Sequence, residues 1–198
     1  AASGVNLANS STNVLEATSG NITLNGKSAT GHGILVQSTN HTFRTTSGNI
    51  SLYGETGGAS GGVRIGSSAT TASFETDSGR ILLDGTALTD AGTGVWVDSG
   101  TLTFTTGSAG GIEVRGHGDG TAVLIKSAGM TAGTGGISIV GEGTTPGASG
   151  AGQVSLNAGT ALQSDGDVLI KSTSHIAFDA GDPITVQTQG GSIVVNAR

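Results

Sequence analysis

Cysteine is absent from the 198-residue chain, which excludes disulfide bonds and thiolate metal sites. Proline occurs only twice, and the aromatic residues are four Phe, one Trp and one Tyr. Positive charge is also scarce: the chain has eight Lys and Arg residues but 14 Asp and Glu residues, which gives a formal net charge of −6. Without a basic cluster the chain is not expected to bind nucleic acid. No apolar run approaches the ~20 residues of a membrane-spanning helix.

Glycine, in contrast, is abundant, with 37 residues, and it marks an internal repeat. The stretch Gly79–Ser108 contains three short runs in which apolar residues alternate with polar ones. Gly48–Ser78 and Gly20–Ser47 repeat the same three runs in the same order. Alternation with a period of two predicts strands that each bury one face. The chain is therefore predicted to be a repeat protein in which one coil is the unit.

The repeat defines three columns of equivalent residues. The first column, with spacings of 28, 31, 31 and 25 residues, contains Ile22, Ile50, Ile81, Ile112 and Ile137. The second contains Val5, Ile34, Val63, Val95, Val123 and Val154. The third contains Leu15, Phe43, Phe74 and Phe104. After Gly166 the pattern resumes with Val168, Ile176, Ile184 and Ile193.

Strands that recur only once per repeat cannot pair as hairpins, so each is expected to pair in parallel with its copy in the next coil. The predicted fold is all-β: a right-handed parallel β-helix, or solenoid, with three strands per coil of about 25–31 residues. Residues 1–198 are expected to form a single β-helical stalk segment and to be a fragment of a longer exoprotein.

Two columns carry predictions about the interior. Phe43, Phe74 and Phe104 are expected to stack inside the solenoid, where they would carry much of its stability. A glycine column follows four residues after each first-column residue: Gly26, Gly54, Gly85, Gly116 and Gly141. We expect these glycines to occupy a corner of each coil that needs a positive φ.

Candidate catalytic and metal sites are hard to find. The carboxylates do not form an obvious pair of the kind that glycoside hydrolysis needs, and no Ser/His/Asp set is suggested. His32 and His41 are nine residues apart with no third ligand nearby, so we interpret them as solvated loop residues. The sequence therefore predicts no catalytic residues, no metal and no cofactor.

One row of outward residues on the second strand stands out. Its members, one per successive coil, are Leu35, Arg64, Trp96 and Leu124. Trp and Arg are the residue types most often found at the energetic centres of interfaces. We therefore take this row as the candidate partner-binding stripe. The alternative is that it consists of ordinary scattered surface residues.

The units GNITLNG (Gly20–Gly26), GNISLYG (Gly48–Gly54) and GRILLDG (Gly79–Gly85) are each followed by a GVxV-like strand and a T-x-SG turn. Together they resemble the filamentous-haemagglutinin-like adhesins, which are large bacterial exoproteins exported by two-partner secretion. The resemblance implies a β-helical stalk that is extracellular or on the bacterial cell surface and serves attachment, aggregation, biofilm cohesion and virulence. It also implies an outer-membrane secretion partner for the full-length protein.

The expected partners are a glycan or protein receptor of a host cell or matrix, or neighbouring adhesin molecules. An alternative function within the same fold is a polysaccharide-binding or polysaccharide-degrading β-helix, such as a phage tailspike or lyase. On the residues present, we expect a structural and adhesive rod segment that is not an enzyme.

Overall fold

A computed structural model describes residues 2–8, 12–37, 40–67, 70–144, 151–179 and 181–198. Within these residues the chain has no helix and forms strands throughout. In chain order the strands are β1 (Val5–Leu7), β2 (Asn13–Ala17), β3 (Ile22–Ser28), β4 (Ile34–Val36), β5 (Asn40–Thr45), β6 (Ile50–Thr56), β7 (Gly61–Ile65), β8 (Thr71–Thr76), β9 (Ile81–Ala87), β10 (Thr93–Val97), β11 (Thr101–Thr106), β12 (Ile112–His117), β13 (Thr121–Ile125), β14 (Ala128–Ala132), β15 (Ile137–Glu142), β16 (Gln153–Leu156), β17 (Ala161–Ser164), β18 (Val168–Ser172), β19 (Ile176–Phe178), β20 (Thr185–Thr188) and β21 (Ile193–Ala197).

Each sheet takes every third strand, so the described part of the chain forms three parallel sheets of seven strands. We name the sheets after the columns that build them. The first sheet is β3-β6-β9-β12-β15-β18-β21, the second is β1-β4-β7-β10-β13-β16-β19, and the third is β2-β5-β8-β11-β14-β17-β20. The predicted all-β solenoid with three strands per coil is confirmed. Its right-handed sense stays a prediction.

The register between coils matches the predicted columns. Ile81 pairs with both Ile50 and Ile112, and Val95 pairs with both Val63 and Val123. After Gly166 the structure confirms Val168, Ile176 and Ile193, whereas in the third sheet Val186, and not Ile184, pairs with Leu162. Val168 continues the first sheet, and Ile176 continues the second.

The predicted phenylalanine stack lies inside the solenoid. Phe43, Phe74 and Phe104 are fully buried. Their ring centroids are 4.5 Å and 4.8 Å apart, and the rings are nearly parallel. The strand register continues this column with Met130, which pairs with Phe104, and with Leu162, so the buried ladder runs through the third sheet beyond the last stacked ring.

The glycine column has a different cause from the one predicted. Its members lie within the strands of the first sheet, and none of them has a positive φ. A Cβ on Gly85 would instead come within 2.1 Å of the Gly94 carbonyl oxygen, and one on Gly54 within 2.0 Å of that of Gly62. The prediction of a positive-φ corner was wrong. The column is glycine because the backbone of the following strand passes directly over it.

Buried threonine hydroxyls stabilise the corner that follows each of two strands of the third sheet, β5 and β8. Thr76 Oγ1 donates a hydrogen bond to the carbonyl of Gly48, which lies at the equivalent corner one repeat earlier, and accepts one from the N–H of Gly79, three residues further along the chain. Thr45 makes the same two bonds one coil earlier. Because buried polar groups are costly without partners, these threonines hold successive corners in register.

Candidate partner-binding surface

The structure brings the four residues of the candidate stripe together. Leu35 pairs with Arg64, Arg64 with Trp96, and Trp96 with Leu124, so they form one continuous row across β4, β7, β10 and β13. All four side chains are half-buried and face away from the core. With neighbouring strands about 4.8 Å apart, the row is about 14 Å long.

Arg64 and Trp96 are in direct contact within this stripe. The guanidinium carbon of Arg64 lies 4.1 Å from the centroid of the Trp96 ring. A cation–π contact of this kind contributes about 0.5–1 kcal/mol at a solvent-accessible site. Arg64 Nη2 also lies 3.7 Å from Asp98 Oδ2, at the end of β10. The guanidinium therefore covers one face of the Trp96 ring.

Two nitrogen donors in the stripe lack hydrogen-bond partners among the described residues. They are Arg64 Nε and Trp96 Nε1, and both atoms are shielded from solvent. A buried donor without a partner costs about 1–3 kcal/mol. Because most buried donors in native proteins are bonded, these two nitrogens set the stripe apart from the fully bonded corners of the coils.

His32 lies beside the stripe, although it was not among the binding residues predicted from the sequence. The Gly61 N–H donates to His32 Nδ1 over 2.9 Å, and Arg64 Nη1 lies 3.4 Å from His32 Nε2. The backbone N–H and the guanidinium can both only donate, so these two contacts disfavour the doubly protonated imidazolium form of His32. Burial, together with the positive charge of Arg64, lowers the pKa of His32 below the ordinary 6.5.

This arrangement predicts a pH-dependent stability. Because the pKa of His32 is lower in the folded state, the unfolded chain binds more protons between that pKa and about 6.5. The free energy of unfolding should therefore fall as the pH drops through this window, and the His32 contribution should be constant above and below it. Urea unfolding at a series of pH values should show this loss in the wild type, and it should be smaller in His32→Asn.

The matched control is His175→Asn, because His175 is exposed. It should keep the pH dependence of the wild type. An identical pH dependence in His32→Asn and the wild type would mean that His32 does not couple protonation to folding.

The prediction that both histidines are solvated loop residues was wrong. His41 is only 1% exposed and lies on β5 facing inward. Its Nε2 lies 3.0 Å from the Gln37 carbonyl oxygen, and its Nδ1 lies 3.1 Å from Asn13 Nδ2. His32 is half-buried beside the stripe. Among the described residues, no group of three or more His, Asp or Glu side chains could hold a metal ion.

The first sheet carries a charged outer face whose groups pair with one another. Lys27 and Glu55, which are register partners, form an ion pair of 2.6 Å, and Arg80 reaches Glu113 over 2.6 Å. Arg115 also binds Glu113. Exposed pairs of this kind contribute little stability each. Because these charges neutralise one another locally, this face is a weaker candidate for partner binding than the stripe.

No helix within the described residues is long and apolar enough to cross a membrane. Comparison of the chain with models of known protein families, with curated proteins and with solved structures gives no match.

Proposed function

We propose that this chain is a rod segment of a bacterial surface or secreted adhesin, in which the solenoid sets the spacing and the stripe contacts the receptor. The rod is supported by the parallel pairing that continues through all seven strands of each sheet. The binding role is supported mainly by the row Leu35, Arg64, Trp96 and Leu124, where an Arg–Trp contact and two unpartnered donors coincide.

The stripe suits weak binding that is repeated many times. A row about 14 Å long is much narrower than the ~800 Å² per partner of a standard protein interface. A single contact would therefore be weak, whereas many copies on one cell would bind strongly through multivalency. Host-cell or matrix receptors and neighbouring copies of the adhesin are both present in many copies, so both could be bound in this multivalent way. The protein acts in this proposal as an extracellular structural component and not as an enzyme.

We predict that the double substitution Arg64→Ala and Trp96→Ala reduces adhesion at least about 30-fold, because Trp and Arg at the centre of an interface often contribute more than 1 kcal/mol each. Beads coated with the 198-residue chain would be counted on an epithelial cell layer and on immobilised matrix. Bead–bead aggregation would be recorded in the same experiment. Circular dichroism and thermal unfolding would first show that the variant is folded.

A matched control is Tyr53→Ala with Arg115→Ala, which removes one aromatic and one arginine from the first sheet instead. Both control residues are exposed on the outer face. Adhesion should survive in this control. If the folded Arg64/Trp96 variant adheres as strongly as the wild type, the stripe does not bind and the segment acts as a spacer.

A further inference from the structure

A second surface feature lies on the third sheet, away from the stripe. It is a groove of about 420 Å³ that spans β11, β14, β17 and β20 and the corner that follows them. Its volume falls within the range of about 300–1,000 Å³ that is common for small-molecule sites. The outward row Thr131, Gln163 and Gln187 lines its length, and Asp165 and Gln189 line its rim at the corner.

The floor of the groove is backbone, which the packing of the coils enforces. A Cβ on Gly133 would lie 2.2 Å from the Gly107 carbonyl oxygen, so no side chain can fill this position. The side chain of the neighbouring Ala132 is buried in the core. At this position the coil of β14 therefore presents only backbone. In the next two coils the exposed side chains of Gln163 and Gln187 project from the surface and form the side of the groove.

The chemistry of the lining is neutral and rich in hydrogen-bonding groups. The lining residues, all in the described part of the chain, include three Gln, several hydroxyls and one carboxylate, and they include no Lys, Arg or aromatic residue. Each Gln amide offers two donors and one acceptor oxygen. Gln163, Gln187 and Gln189 are exposed, and their side chains make no hydrogen bond to the described residues. Such a lining disfavours anionic and purely apolar ligands and suits a neutral ligand with many hydroxyls.

The spacing of the row selects among ligands of this kind. Thr131, Gln163 and Gln187 are consecutive register partners, so their hydrogen-bonding groups repeat about every 4.8 Å. This step is close to the length of one monosaccharide unit in an extended β-linked chain. We propose that the groove binds an extended neutral oligosaccharide, with about one sugar unit per coil and the Gln amides bonding its hydroxyls. The proposal stands on the third sheet alone and does not depend on adhesion through the stripe.

Titration of the intact chain with linear tetrasaccharides tests the proposal. The neutral probes are cellotetraose, β-1,4-mannotetraose and chitotetraose, and a heparin tetrasaccharide is the charged comparison. We expect at least one neutral probe to bind. Gln163→Ala with Gln187→Ala should weaken that binding about tenfold, since two uncharged hydrogen bonds are lost. Thr131→Phe, which fills the groove from its solvent side, should abolish it.

Gln153→Ala is the matched control, because Gln153 lies in the same coil as Gln163 but on the second sheet. It should bind as the wild type does. Three results would overturn the proposal: no binding of any neutral probe, equal binding by the folded groove variants, or a salt-sensitive preference for the heparin tetrasaccharide. Loss of adhesion in the Arg64/Trp96 variant would not affect the outcome, so failure of the groove and failure of the stripe can be told apart.

Discussion

Phe74→Ala should lower the free energy of unfolding by about 3–5 kcal/mol, the range measured when buried phenylalanines are truncated. Phe74 has no exposed surface, and its ring is stacked between those of Phe43 and Phe104. The substitution removes both stacking contacts and leaves a cavity between two coils. Because a solenoid is stabilised mainly by contacts between neighbouring coils, the rod is weakened at this junction.

Chemical denaturation of the purified chain measures this effect. Phe178→Ala is the control, because Phe178 is 49% exposed on β19 and its truncation should cost much less. A loss below about 1 kcal/mol for Phe74→Ala would mean that the phenylalanine column faces solvent and that the strand register is wrong by one residue.

Gly85→Ala should destabilise the fold by about 3 kcal/mol or more, at or above the upper end of the usual cost of overpacking. The added Cβ would lie 2.1 Å from the Gly94 carbonyl oxygen and would also approach Val95. The obstructing atoms belong mainly to backbone, which cannot move aside as a flexible side chain could. The two strands β9 and β10 would have to separate.

Gly129→Ala is the matched control, since Gly129 also lies within a strand, β14. The nearest atom to an added Cβ there is 3.9 Å away. This substitution should be neutral or slightly stabilising, because it reduces the entropy of the unfolded chain. Equal stability losses in the two variants, measured by urea unfolding, would contradict the close-approach explanation of the glycine column.

The architecture could be predicted because its cause is local and repeated. Each strand shows apolar residues at alternate positions, and each column recurs once per coil, so the pairing partner of Ile81 or Val95 can be read directly. The stripe was predictable for the same reason: once Val95 and Val97 face inward, Trp96 must face outward, beside Arg64 in the coil before.

The cause of the glycine column could not be read from the sequence. Glycine is required either for a positive φ or for close backbone approach, and a column of glycines is compatible with both. Choosing between them needs the path of the next strand, which passes over Gly54 and Gly85. The burial of His41 was missed for a related reason. The Asn40–Thr45 strand begins earlier than the column of Phe43 indicated, and it turns His41 inward.

The contacts around the two candidate sites were missed for different reasons. His32 and Gly61 each lie two residues before a second-column apolar residue, so their pairing could have been found from the repeat. The groove was hidden because the third column was defined by phenylalanine. Met130 and Leu162 continue that column without an aromatic ring, and Gln163 was therefore not placed beside Thr131.

The most direct test of adhesion through the second sheet is site-specific blocking. The chain has no cysteine, so Leu124→Cys can be labelled with a maleimide-linked polyethylene glycol at that position alone. Tyr53→Cys on the first sheet, labelled in the same way, is the control. We predict that the label at position 124 removes most bead adhesion to cells and matrix and that the label at position 53 leaves it intact. Full adhesion with position 124 blocked, or equal loss with either label, would contradict binding through the stripe.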